Sequence, residues 1–456
     1  MFFMLGLSFF LFFSTKTYAS DITTHADITV NDKGINKNVI DGKEKTYSSF
    51  AKLTSITIKS EEEIHGIYII YEYSSKTGKL TNNNKTIDIG QNNFLHEYIN
   101  VEELLGTSKE LILTYNEDVK IADIYVFGSG KLPDFVEVWE PSCQVADLLL
   151  FTTHSDDEHL FFLGLLPTYV ARDAYVQVVY FANHNDSPNR LHEQLHGLYA
   201  VGIRNYPVMG LIPDAYSTTL KGAISNLNSS CLTEDDALKF QVEMIRKFKP
   251  QVVVGHDEKG EYSHGQHILN TYLLKQAIEK ANDKSFDELS NNKYGTWQIS
   301  KLYLHLYEKN QITMDYDIPL EYFEGRTAYE VSKEGYSKHL SQQWTWFTDW
   351  INGNNNQYTK ATDIKTYSPI NYGLYYSNVG EDIHKNDMFE NIIYYKKKQA
   401  EKKNKEENKS ESMDTVNNDK QTKFIKYTIS GIIFIFLMVL LKRFVSKIKK
   451  ILVKRR

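Results

Sequence analysis

The chain has 456 residues, more than one ordinary core holds, so two or more folded units are expected. A formal net charge of −6 gives no general signal for nucleic acid, which is not expected as a partner. Two cysteines, Cys143 and Cys231, exclude a four-cysteine metal site and a disulfide framework; one disulfide or two inert thiols stay open.

Residues 1–19 read as a signal peptide. Met1–Phe13 is almost wholly apolar, and Thr17-Tyr18-Ala19 has the small-x-small form that precedes cleavage. The usual basic n-region is missing, so an uncleaved anchor stays open. Residues 21–140 are expected to form an all-β sandwich. Short alternating runs recur at Leu53–Ile58, Gly66–Tyr71, Lys109–Leu113 and Ile121–Val126, with polar turns such as Asn82-Asn83-Asn84 between them. The pattern is similar to the accessory modules, often sugar-binding, of bacterial surface enzymes; a structural spacer fits equally well.

From 141 to 393 apolar strands alternate with amphipathic helices, which predicts an open, mostly parallel, Rossmann-like α/β sheet. Strands are expected at Leu148–Phe151, Ala174–Phe181, from Pro207 and at Gln251–Val254. Helices are expected at Leu191–Gly202, Asp235–Phe248 and Ile268–Ala281. Ligands of such sheets lie beyond the carboxyl ends of the strands. Two polar clusters sit at such ends: His154-Ser155-Asp156-Asp157-Glu158, and Gly255-His256-Asp257 followed by Glu261-Tyr262-Ser263-His264-Gly265-Gln266-His267.

Gathering imidazoles and carboxylates costs free energy unless a cation or hydrogen bonds compensate them. A catalytic zinc site needs three His, Asp or Glu ligands and an open position. His154 and Asp157 come from one loop; the third ligand is His267 or His264. Asp156 is placed to accept a proton from a bound water, and a second histidine to protonate a leaving group. Glu158 reads as a cap of the following helix. His256 and Asp257 read as ligand orienters or turn residues, and His159, His184, His192 and His196 as structural or exposed. Tyr336, His339 and Gln342, spaced by three, are expected to share one helix face.

Residues 394–423 are a charged stalk with nothing to build a core. Residues 424–441 read as a single transmembrane helix, and 442–456 as a basic cytoplasmic tail with eight Lys and Arg and no acid. The expected location is the cell membrane, single-pass, with the catalytic unit outside; protein partners are not legible.

The ordered motifs resemble the PIG-L (LmbE-like) family of zinc-dependent N-acetyl-sugar deacetylases over about residues 145–390. His154-Ser155-Asp156-Asp157-Glu158 is similar to its His-Pro-Asp-Asp-Glu loop, with Ser155 in place of proline. His264-Gly265-Gln266-His267 matches its later His-x-x-His, and Arg190-Leu191-His192-Glu193 with Val201-Gly202 its Arg-x-x-Glu helix. The resemblance extends to Tyr372–Tyr376 and Asn386–Glu390. It implies that His154, Asp157 and His267 bind Zn2+ or Fe2+, that Asp156 is the general base, and that His264 stabilises charge or acts as general acid. It further implies that Tyr262 bonds the oxyanion, and that Arg190 and Asp214 bind substrate. The implied substrate is an N-acetylated amino sugar, and the outward location favours a surface or matrix glycan. The alternatives are a zinc amidase acting on another small amide and a non-catalytic surface carbohydrate-binding protein.

Overall fold

The computed structural model describes residues 20–399. The predicted signal peptide, most of the stalk, the transmembrane segment and the basic tail lie outside the described residues. Among the described residues no helix is long and apolar enough to cross a membrane.

The first module is an all-antiparallel sandwich. One sheet runs Lys33–Gly34, Asp27–Val30, Ile56–Ile64, Ser108–Tyr115, Gly78–Thr81, Thr86–Ile89. The other runs Ser48–Phe50, Val119–Phe127, Gly66–Tyr71, His96–Asn100. The two sheets share a core that includes Ile58, Ile67, Ile69, Leu111, Leu113 and Ile124. Each such buried aliphatic side chain contributes roughly 1.5–3 kcal/mol. Asn82 makes the hairpin turn, its Oδ1 accepting from Asn84 N at 3.0 Å and Lys85 N at 2.8 Å. Alternation fails in Gly66–Tyr71, where every residue is buried. Tyr68 and Ile70, on the face turned away from the sandwich core, pack with Ala122, Phe127 and Val136.

In the α/β module we label strands β1 Leu148–Thr152, β2 Val176–Tyr180, β3 Val252–Gly255, β4 Lys301–His305, β5 Gln311–Thr313 and β6 Asn371–Ser377. The helices used below are α1 Leu165–Ala171, α2 Pro188–Ala200, α3 Glu234–Phe248, α4 Gly265–Lys280, α5 Ala328–Ser337 and α6 Thr345–Asn352. The sheet order is β2-β1-β3-β4-β6-β5. The four strands β2, β1, β3 and β4 are parallel; β6 and β5 add an antiparallel edge. Strands β1 and β3 are buried on both faces and read as continuous apolar runs, as central parallel strands do.

Two expectations change. The run from Pro207 forms only a bridge, Val208 to Val179, before the short pair Ala182–Asn183 and Ile212–Pro213. Tyr372–Tyr376 is part of strand β6. The helix carrying Tyr336 ends at Ser337, so His339 and Gln342 do not continue its face; His339 is fully buried. Neither cysteine is in a disulfide; Cys143 is buried and Cys231 exposed.

The described residues up to Ile392 belong to one compact unit that contains both modules. Their contact is polar at its centre. His96 of the sandwich bonds His192 of α2 at 2.8 Å and Glu137 at 3.0 Å. His196, one turn beyond His192, bonds Glu137 at 2.7 Å and Glu44 at 2.9 Å.

Candidate active site

The loop after β1 turns sharply. Asp156 has φ 126°, a left-handed value that is strained for any side chain, and the short helix Asp157–Leu160 starts directly after it. Ser155 fastens this loop: its N–H donates to His184 Nε2 at 3.0 Å and its hydroxyl to Arg190 O at 3.0 Å. A proline at this position would have neither donor.

The second cluster follows β3. Tyr262 and Ser263 have φ of 44° and 59°, and α4 begins at Gly265. His264 caps that helix, its Nδ1 accepting from Gln266 N at 3.3 Å. The two loops meet. His154 Nδ1 lies 3.1 Å from His267 Nε2, and Asp157 Oδ2 lies 3.3 Å and 3.2 Å from those two atoms. A tetrahedral zinc with ligands at ~2.0–2.1 Å has ligand–ligand edges of about 3.3 Å, so the donor set fits one ion. His154, His264 and His267 also converge within metal-ligating distance of one another. Burial opposes ionisation of Asp157, but His267 and His154 hold its carboxyl well below the usual range.

Second contacts fix both imidazoles. His154 Nε2 donates to Gln266 Oε1 at 2.9 Å. His267 Nδ1 donates to Glu261 Oε2 at 2.8 Å, leaving Nε2 for a metal. Glu261, fully buried, also accepts from His256 Nδ1 at 2.8 Å and from His305 Nδ1, at the end of β4, at 2.6 Å. Burial opposes its charge, but His256 and the hydrogen bonds of His256, His267 and His305 hold its carboxyl well below the usual range.

The remaining polar residues border the donor set. Burial pushes the Asp156 carboxyl well above the usual range; Arg190 opposes that shift, and Asp157, Glu158 and Asp214 add to it. Arg190 Nη2 is 3.7 Å from Asp156 Oδ1 and donates to Ser155 O at 2.7 Å, while Nη1 donates to Asp214 Oδ2 at 3.1 Å. His264 is pushed down to about 2 by burial and by neighbouring His154 and His267, so it is a neutral imidazole. Because Nδ1 accepts from Gln266, its proton is on Nε2. The Tyr262 hydroxyl is pushed up by burial and by the charges of Asp157 and Asp156, and stays a neutral donor. Its ring contacts Trp346 and Trp350 of α6 at 6.0 Å and 5.4 Å between centroids.

All eight expected site residues therefore occupy one neighbourhood. Glu158 does not cap the following helix through its amides; its Oε2 accepts from Asp156 N at 2.9 Å. His159, His184 and His192 are buried rather than exposed. Sequence reasoning missed Glu261, His305 and Gln266 as supports. The signal for His305 was present: like His154 and His256, it closes an apolar strand.

Fold and site together define an open-sheet α/β module whose strand ends gather a His-Asp-His donor set that could hold a metal ion. Residues 149–278, which contain every donor of the centre, match the family model described as PIG-L: GlcNAc-PI de-N-acetylase. A 1D-myo-inositol 2-acetamido-2-deoxy-alpha-D-glucopyranoside deacetylase of Thermobispora bispora is 27% identical over 178 residues, 34% of this chain and 57% of that one. The enzyme of the same description from Geodermatophilus obscurus is 26% identical over 179 residues, 34% and 60% of the two chains. The chain thus spans little more than half the length of these curated relatives. Among solved structures, N,N'-diacetylchitobiose deacetylase from Pyrococcus horikoshii aligns with TM-score 0.37 and 14% identity, covering 50% of this chain and 84% of that one. At that score the likeness does not bear on chemistry.

Proposed function

We propose that the chain is a metal-dependent N-deacetylase that hydrolyses the acetamide of an N-acetylated amino sugar to acetate and a free amine. The observation that carries this reading is the Asp156 carboxylate standing beside the convergent His154, Asp157 and His267 donors. The match of this segment to the PIG-L model and the deacetylase activity of its relatives support it.

A divalent ion held by His154, Asp157 and His267, zinc or iron(II), would polarise the acetamide carbonyl and lower the pKa of water to about 7. Asp156 takes the proton of the attacking water and returns it to the departing amine. Neutral His264, through Nε2–H, and the Tyr262 hydroxyl donate to the oxyanion as it develops. Arg190 and Asp214, already paired, present donors and acceptors to sugar hydroxyls.

The substrate class we favour is N-acetylglucosamine-type units of a surface or matrix glycan. The relatives' names specify 2-acetamido-2-deoxy-glucopyranosides, and the aromatic wall of Trp346 and Trp350 beside Tyr262 suits the apolar face of a pyranose ring. Membrane anchorage with the site outside the cell is supported by the uncharged run 427–441 followed by eight basic residues.

The test is acetate release by the purified chain from N-acetylglucosamine oligomers compared with acetylated non-sugar amides. Turnover of the non-sugar amides alone overturns the substrate class. No turnover of either, unchanged in Asp156→Ala, overturns the enzymatic reading.

A further inference from the structure

One buried cluster has no part in that reaction. Glu158 and His159 lie on the short helix Asp157–Leu160, and His339 follows α5; all three are fully buried. Glu158 Oε1 stands 3.3 Å from His339 Nε2 and 3.7 Å from His159 Nε2. Neither that oxygen nor any of the four imidazole nitrogens completes a hydrogen bond. Buried polar side chains are normally satisfied, so three orphaned atoms that converge, Glu158 Oε1, His159 Nε2 and His339 Nε2, indicate a missing ligand. Glycine keeps the space between the rings open. A Cβ on Gly197 of α2 would stand 2.6 Å from His339 Nε2 and 2.8 Å from His159 Nε2.

We infer that Glu158, His159 and His339 form a second metal site, for a divalent first-row transition ion of the zinc class, separate from the His154–Asp157–His267 centre. Two imidazoles and one carboxylate are an established zinc ligand set, and the 3.3 Å and 3.7 Å spacings lie near the ligand–ligand edge of about 3.3 Å. One donor atom from each residue falls within metal-ligating distance of the other two. The ion takes no part in hydrolysis; these are positioning residues. Glu158 reaches the ion with Oε1 while Oε2 holds the Asp156 backbone N–H at 2.9 Å, so the site fixes the strained turn that carries the proposed base. His339 ties the same point to the segment leading into α6, which bears Trp346 and Trp350.

The experiment is metal stoichiometry on the full purified chain, stripped with chelator, reloaded with zinc or cobalt(II), and freed of excess ion. Two ions per wild-type chain are expected. His339→Ala and His159→Gln are each expected to retain one ion, and to lose one component of the cobalt d–d absorption. His267→Ala is expected to lose the other. Circular dichroism selects folded variants, and His339→Gln, closer in volume, serves where His339→Ala does not fold. A single ion in the wild type, or a count unchanged in a folded His339 variant, overturns the site and leaves a hydrated histidine pair. Because the count is read without substrate, its failure is distinct from failure of the deacetylase reading.

Discussion

Glu261 Oε2 accepts the Nδ1 proton of His267 at 2.8 Å, and this bond decides which nitrogen of the proposed metal ligand faces Asp157. The same carboxylate holds His256 and His305, so one buried charge orients three imidazoles, one just after β3, one on α4 and one at the end of β4. Replacing Glu261 with Gln keeps the shape and removes the charge. It is expected to weaken zinc binding roughly 10- to 100-fold, the usual cost of losing such an outer partner. Competition with a chromophoric chelator measures this; unchanged affinity would reduce Glu261 to a packing role.

Asp156→Asn should separate chemistry from metal binding. The amide cannot take a proton, so kcat is expected to fall by about 10^2 to 10^4, the range for a lost general base. Zinc content and melting temperature should stay close to those of the unaltered chain. Loss of zinc in this variant would make Asp156 a ligand instead.

Trp346 is 43% exposed beside Tyr262, where a second sugar ring can stack. Trp346→Ala is expected to lower kcat/KM for oligosaccharides by roughly 3- to 10-fold, equivalent to one aromatic contact of about 0.5–1.5 kcal/mol. The monosaccharide should be little affected. Equal losses on both substrates would place the ring against the reacting sugar instead.

The contact between the modules should respond to pH from both sides. Burial opposes charge on His196, but Glu137 and Glu44 push its pKa from 6.5 to about 10. Its contribution is therefore complete below pH 6.5 and is lost as pH rises towards 10. Burial opposes charge on Glu44 too, but His196 lowers its pKa from 4.5 to about 2, so its contribution is complete above pH 4.5 and is lost as pH falls towards 2. The difference in melting temperature between the unaltered chain and His196→Gln should be largest at pH 4.5–6.5 and shrink on either side. A difference independent of pH would show that the pair carries no charge.

Much of the site was legible because its parts are local in sequence. An apolar strand that stops in His154-Ser155-Asp156-Asp157 announces both its burial and its polar end, and so does Val252–Gly255 before His256. Parallel topology then requires those ends to share an edge, which brings the loops that lead to His154 and His267 to the same side of the sheet. Periodicity likewise located α2, α3 and α4 within a few residues.

Tertiary structure alone decided which of these groups serve one another. Nothing local distinguishes Glu261 from its acidic neighbours until His256, His267 and His305 surround it. Nothing marks His339 as buried until α5 ends at Ser337 and turns it towards Glu158. His96 and His192 sit in different modules and meet only across their contact. The physical reason is the same in each case. Alternation and apolar runs record whether a side chain faces water, whereas a buried charge is set by its partners, and those come from distant parts of the chain.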